Sequence, residues 1–162
     1  MRPFLLSAVL AFIADQASKY YVIHLMNLPL VNTIPVLPPL LTFRYGENRG
    51  INFGLGDGLG PWFLIAVAVI ICVAVTIWLI RRPQPLLIRI SAGLLVGGAL
   101  GNVLDRVLYG YVLDFLNMSC CGINNPFVFN VADIAIFAGA IGIAFLAGDD
   151  TKKKPAKGEN DA

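Results

Sequence analysis

The sequence predicts an all-α integral membrane protein in which four transmembrane helices carry a small β-containing platform outside the bilayer. Three observations lead there. Of 162 residues, 57% are hydrophobic and only 14% are charged, with a mean hydropathy of +0.75. Soluble domains carry roughly 25% charged residues, so the chain lacks the polar surface that water requires. Four apolar stretches approach the ~20 residues a helix needs to cross a bilayer, and the basic residues gather on one side of them.

The first stretch spans residues 3–26 and is interrupted by Asp15, Gln16 and Lys19. The second, residues 61–80, carries no charge. The third, residues 86–104, has Arg89 near its start and Asn102 near its end. The fourth, residues 126–147, contains Asn130 and Asp133. Residues 27–60 form a segment rich in Pro, Gly and Asn, within which residues 40–45 mix Thr, Phe and Tyr in a way that suits a short strand. A hairpin at residues 81–85 joins spans two and three, and a second polar segment, residues 105–125, joins spans three and four. Residues 1–148 are expected to form one membrane-embedded domain. The tail at residues 149–162, with Lys152, Lys153 and Lys154, is expected to be disordered.

Orientation follows from the basic residues. One side receives Arg2, Arg81, Arg82, Lys152, Lys153, Lys154 and Lys157, with Arg89 able to snorkel toward it. The other receives Arg44, Arg49 and Arg106. Both termini are therefore expected in the cytoplasm, with both long polar segments outside. The first span has a signal-like start, but no A-x-A-like cleavage site follows it, so it is expected to be retained.

Composition also excludes. A net charge of +2 provides no field for nucleic acid, and the single histidine, His24, rules out a His-cluster metal site. Cys72 lies in an apolar run, and the adjacent Cys120 and Cys121 lack the spacing of a metal knuckle. No metal and no cofactor is expected. Nothing speaks for a higher assembly, and a monomer is the expectation.

Ionisable groups inside a span cost about 2.5–3.5 kcal/mol or more at the bilayer centre, so each needs a partner or a task. Asp15 and Lys19 stand at i,i+4 with the acid first, the favourable order for an ion pair. They can simply neutralise each other, hold a site, or do both. Asn102, Asp105 and Arg106 share one helical face, Asp105 and Arg106 near the outer surface, where an exposed pair is worth little. Asn102 could serve only as an interhelical hydrogen bond. Gly93, Gly97 and Gly101 make a small-residue strip suited to close helix packing in lipid.

Asp114 and Asp133 have no evident partner and map to the same outer depth, 19 positions apart. Brought together, they could not easily both ionise. One would hold a proton near neutral pH, the division that aspartic proteases use. Spacing alone leaves open a proton or ion pathway, or plain solvation. Residues 54–57 spell Gly-Leu-Gly-Asp, a pattern found in another class of intramembrane protease. Here Gly58, Gly60 and Pro61 follow it, and it reads as a turn.

Four motifs appear in order: Asp15-Gln16-Ala17-Ser18-Lys19, Asn48-Arg49-Gly50-Ile51-Asn52-Phe53-Gly54, Gly101-Asn102-Val103-Leu104-Asp105-Arg106 continuing to Asp114-Phe115, and Phe129-Asn130-Val131-Ala132-Asp133. Together they resemble the lipoprotein signal peptidase (signal peptidase II) family along essentially the whole membrane region. Ile51-Asn52 departs from the two small residues usual in that family. The resemblance implies an aspartic endopeptidase with Asp114 and Asp133 as its dyad. It implies that Asp15, Lys19, Asn48, Gly50, Asn102, Asp105, Arg106, Asn130 and Ala132 line or brace the site. It further implies cleavage of lipid-modified prolipoproteins before the diacylglyceryl-cysteine, at the outer face of the bacterial plasma membrane, with substrate and membrane lipids as partners. The competing readings are a small proton or ion pathway protein and an assembly subunit packing through its glycine faces.

Overall fold

A computed structural model of the chain describes residues 1–50, 60–120, 122 and 125–149, with side chains to residue 146. The Gly-Leu-Gly-Asp sequence, residues 51–54 of the second motif, Cys121 and the tail from residue 150 lie outside the described residues.

Helix α1 runs Arg2–Lys19, with Pro3 in the first turn where its missing N–H costs nothing, and continues as a wider π-helical turn, Tyr20–Leu25. A short helix α2, Leu28–Val31, leads into strands β1, Thr33–Leu37, and β2, Leu41–Asn48. Helices α3, Pro61–Arg81, and α4, Leu86–Tyr109, form a hairpin. Strand β3, Val112–Met118, and helix α5, Val131–Asp149, complete the chain.

Helix α4 is the hub, packing against α1, α3 and α5. Its small residues make this possible. A Cβ at Gly93 would collide with Ser7 and the Phe4 carbonyl, and one at Gly97 with the backbone of Ala8. On the other flank, a Cβ at Gly98 would lie 2.5 Å from the Ala132 carbonyl oxygen, and α5 returns the approach with Gly139 against Ser91 and Leu95. The glycine strip expected from the sequence is thus the seam that lets α1 close on α4, while Gly98, outside that strip, admits α5. The bundle core is Phe4, Cys72, Leu79, Ile88, Ala92, Val96 and Ala99.

The outward faces are apolar. On α3 only Leu64, Cys72 and Leu79 are buried, while Trp62, Ile70 and Ile80 are exposed, as are Leu6, Leu10, Phe137 and Phe145 on α1 and α5. Apolar surface this extensive marks contact with lipid or another apolar partner. Helices α3 and α4 are long and apolar enough to cross a bilayer, and α5 is apolar over Val131–Leu146.

The three strands form an antiparallel sheet in the order β1-β2-β3, with Gly46 opposite Asp114 and Asn48 opposite Val112. Val22, Ile23, Leu28, Leu113 and Phe115 make a second core that seats the sheet on the end of α1. Phe43 meets Phe115 edge to face at 5.6 Å, a preferred aromatic geometry.

The strand expected at residues 40–45 is the observed β2. Strands β1 and β3 are additions, and β3 carries Asp114. The third helix outruns its expected end: Asp105 and Arg106 stand on helix, which stops at Gly110, a residue with φ of +81° that suits glycine as a helix terminator. The fourth helix begins at Val131, since residues 125–129 are extended and Phe129 bridges Leu116.

Candidate active site

The polar residues of four elements meet where the bundle joins the sheet. Asn130 precedes α5 and closes it with a reciprocal cap. Its Oδ1 accepts the Asp133 N–H at 2.9 Å, while Asp133 Oδ2 accepts the Asn130 N–H at 3.2 Å. This is the capping-box logic of a side chain at the cap and an acid three residues on. It fixes Asp133 in the first turn of α5, where the positive end of the helix favours a carboxylate. Asp133 Oδ1 accepts a second bond, from Asn102 Nδ2 at 3.0 Å.

Asp114 is 2% exposed on β3. Asn130 Nδ2 donates to its Oδ1 at 2.6 Å and Asn48 Nδ2 to its Oδ2 at 3.1 Å. Asn130 Nδ2 also lies 3.2 Å from Asn102 Oδ1. The two carboxyl groups are therefore linked through a pair of asparagines, one bonded to each. Burial first, then the neighbouring charge of Asp133, push the Asp114 carboxyl up to about 7, against the lowering pull of the Asn48 and Asn130 hydrogen bonds and of Lys19.

Behind the pair lies a buried charge cluster. Lys19 Nζ contacts Asp15 Oδ2 at 2.8 Å, Asp105 Oδ2 at 2.7 Å and Asn102 Oδ1 at 3.3 Å. All three charged residues are at most 3% exposed. Each carboxylate also holds a backbone amide, one next to Asp133 and the other next to Asp114. Asp15 Oδ1 accepts the Ala132 N–H at 2.8 Å, and Asp105 Oδ2 accepts the Leu113 N–H at 3.1 Å. One ammonium thus ties together the backbone just before Asp133 and just before Asp114. Buried charges persist only when paired and hydrogen-bonded, and this cluster meets both conditions.

Every site residue expected from the sequence falls into this assembly. Ala132 is fully buried, and only a small residue fits beside Gly98 and Gly101. The Gly50 N–H bonds Asn48 Oδ1 at 3.2 Å, and its carbonyl accepts Arg106 Nη2 at 2.7 Å. Arg106 Nη1 lies 3.4 Å from the Asn102 carbonyl oxygen. The reading of Asp105 as part of an exposed pair is corrected: it is buried and pairs with Lys19, because α4 continues past residue 104 and turns it inward.

Gln16 was present in the first motif but carried no assigned role. Its Nε2 lies 3.1 Å from Asp15 Oδ2, 3.1 Å from Asp105 Oδ1 and 3.3 Å from the Gly101 carbonyl oxygen, a second bridge between the carboxylates. Its position beside two intramembrane charges was the available signal. Among the described residues, no group of three or more His, Cys, Asp or Glu side chains could hold a metal ion.

Comparison with known proteins gives a consistent picture. The family described as "Signal peptidase (SPase) II" matches residues 7–147. A lipoprotein signal peptidase of Methylorubrum extorquens (strain PA1) is 43% identical over 143 residues, 85% of this chain and 81% of that protein. A lipoprotein signal peptidase of Methylobacterium radiotolerans is 41% identical over 170 residues, 98% of this chain and 97% of that one. A bacterial membrane enzyme solved in meso at 2.3 Å superposes with a TM-score of 0.81 at 32% identity, over 96% of this chain and 94% of its own.

Proposed function

The chain belongs to the signal peptidase II family, and from that premise we propose that it is a membrane aspartic endopeptidase that removes the signal peptide from lipid-modified prolipoproteins. The observation that carries the proposal is the joining of Asp114 and Asp133 through Asn130 and Asn102, although they lie on different elements.

The environments of the two carboxyls differ, and that difference supports a division of roles. Asp114, buried and raised to about 7, holds the proton. Asp133, at a helix N-terminus and accepting the Asn102 Nδ2–H and Asn130 N–H, takes the role of base. Asp133 takes a proton from a water as that water attacks the scissile carbonyl carbon, and Asp114 gives its proton to the carbonyl oxygen. The resulting gem-diol collapses as Asp133 passes its proton to the departing nitrogen. The C–N bond breaks, and a hydroxyl proton returns to Asp114. No acyl-enzyme forms and no metal is needed.

Four helices cross the membrane in this proposal, α1 with its π-helical extension and α5 joining the two longer spans. Both termini lie in the cytoplasm, and the sheet is the platform on the outer face of the plasma membrane. The enzyme works as a monomer, with residues 1–148 as one domain. A lipid-anchored substrate brings its cleavage site to that interface, where the dyad sits. The ion-pathway alternative is disfavoured by distribution. Among the described residues, the buried polar groups at the opposite end of the bundle are Ser7 and Ser91, and Ser7 is spent on the backbone carbonyls of Pro3, Phe4 and Ile90. The deciding experiment is cleavage of a lipid-modified prolipoprotein by the purified protein in detergent, with the bond before the modified cysteine as the expected site.

A further inference from the structure

The end of β2 sorts its residues by face, as strand alternation requires. Gly46, Asn48 and, just past the strand, Gly50 turn toward the site, while Glu47 and Arg49 are exposed on the other face. The Asn48 amide serves two partners at once. Its Nδ2 donates to Asp114 Oδ2 at 3.1 Å, and its Oδ1 accepts the Gly50 N–H at 3.2 Å, the turn an asparagine makes with the backbone two residues on. The path of residues 48–50 therefore sets the orientation of that amide, and with it the bond to Asp114. Arg106 Nη2 holds the far end through the Gly50 carbonyl at 2.7 Å. The middle residue is Arg49.

Arg49 is anchored although it is exposed. Its guanidinium carbon lies 5.2 Å from the centroid of the Tyr111 ring, and its Nη2 donates to Glu47 Oε2 at 2.8 Å. Glu47 also accepts the Tyr45 hydroxyl at 3.3 Å. Its carboxyl is held below the usual value, by the Arg49 bond first and then by those of Tyr111 and Tyr45. Tyr111 stands between Gly110, which ends α4, and Val112, which pairs with Asn48 across the sheet; Asp114 follows on the same strand. An exposed ion pair is worth little alone. A cation seated on a ring face adds an attraction of different origin, and a planar guanidinium can stack and pair together.

We propose that Arg49 is a positioning residue: seated on Tyr111 and paired with Glu47, it pins residues 48–50 to the strand that carries Asp114 and so keeps the Asn48 amide on the Asp114 carboxyl. The inference rests on the reading above, in which Asp114 is the proton donor of a peptidase. Arg49 acts through Asn48. The Asn48 bond pulls the Asp114 carboxyl down, so loosening residues 48–50 lets that carboxyl rise. The other charged groups around Asp114 are Asp133 of α5, Lys19 of α1, and Arg106 and Asp105 of α4. All of them stay in place when Arg49 or Tyr111 is replaced.

The test titrates the Asp114 carboxyl by NMR of the full-length, aspartate-labelled protein in detergent, with Asp114→Asn assigning its signal. The same variants are assayed for cleavage across pH. Arg49→Gln is expected to raise the Asp114 midpoint by about half a pH unit, roughly three-fold in the ionisation equilibrium, and to move the alkaline limb of kcat/KM upward with it. Tyr111→Leu, which changes no charge, should do the same, and Tyr111→Phe, which keeps the ring face, should stay near wild type. Arg44→Gln, which removes another exposed arginine of β2, should leave the midpoint unmoved. In an Asn48→Ala background, Arg49→Gln should produce no further shift. An unmoved midpoint in both Arg49→Gln and Tyr111→Leu overturns the proposal. So does a shift that persists undiminished without Asn48, since Arg49 would then act by its charge alone. Absence of cleavage by wild type would sink the peptidase reading, while the titration would still decide the role of Arg49.

Discussion

Replacing Lys19 by Met removes the one ammonium shared by Asp15 and Asp105. The two carboxylates would stay buried, each bound to a backbone amide, with Gln16 as their remaining bridge. Removing one partner of a buried ion pair typically costs about 3–5 kcal/mol, because the orphaned charge keeps its desolvation penalty. Here two like charges are left close together, so the cost should sit in that range despite Gln16. Loss of the tie also frees the backbone before Asp114 and Asp133, and misplacement of reacting groups by about 1 Å can cost roughly 100-fold in rate. The assays are denaturant unfolding in detergent and steady-state cleavage. Adding Asp105→Asn to Lys19→Met should recover part of the lost stability, since it removes the repulsion, giving a coupling of about 1–3 kcal/mol in a double-mutant cycle. Lys19 also pulls the Asp114 carboxyl down, so its removal should move the alkaline limb of the pH profile upward. A Lys19→Met protein within about 1 kcal/mol of wild type, with an unmoved alkaline limb, would refute the reasoning.

Further outcomes follow from the same geometry. With Asp114 at about 7 as the proton donor, activity should fall as pH rises through about 7, read from kcat/KM across pH. The sign for stability is the same. A carboxyl that titrates near 4 when unfolded and near 7 when folded binds more protons folded, so unfolding free energy should decline between those values and level off above. Gly101→Ala should destabilise by about 1–3 kcal/mol and reduce cleavage, because its Cβ would stand 2.7 Å from Asp15 Oδ2; melting and activity on one preparation check both. Asn130→Ala should cost about 1–2 kcal/mol of helix cap and far more in kcat, since it also cuts the link between the carboxyls.

The helices were legible because lipid imposes continuous apolar runs: the uncharged run at residues 61–80 became α3 almost residue for residue. Ends were less clear. Continuation of α4 to Tyr109 depends on a turn of mixed residues closed by Gly110, and hydropathy cannot register it. Strand β3 was hidden because Asp114 and Asn117 interrupt its apolar residues, and their burial depends on bonds to Asn48, Asn130 and the 125–127 backbone. The site's members were visible as ionisable and amide residues in apolar surroundings. Their wiring was not, since Lys19 to Asp105 and Asp15 to Ala132 cross 86 and 117 positions of sequence. The Asn130–Asp133 cap could have been read from its three-residue spacing, which would have placed the start of α5 at Val131.

The most direct test of the central claim is cleavage of a lipid-modified prolipoprotein by purified wild type, Asp114→Asn and Asp133→Asn, each first shown to be folded. The account predicts cleavage before the lipidated cysteine by wild type and none by either variant. Equal cleavage by all three would contradict the assignment of Asp114 and Asp133 as the dyad.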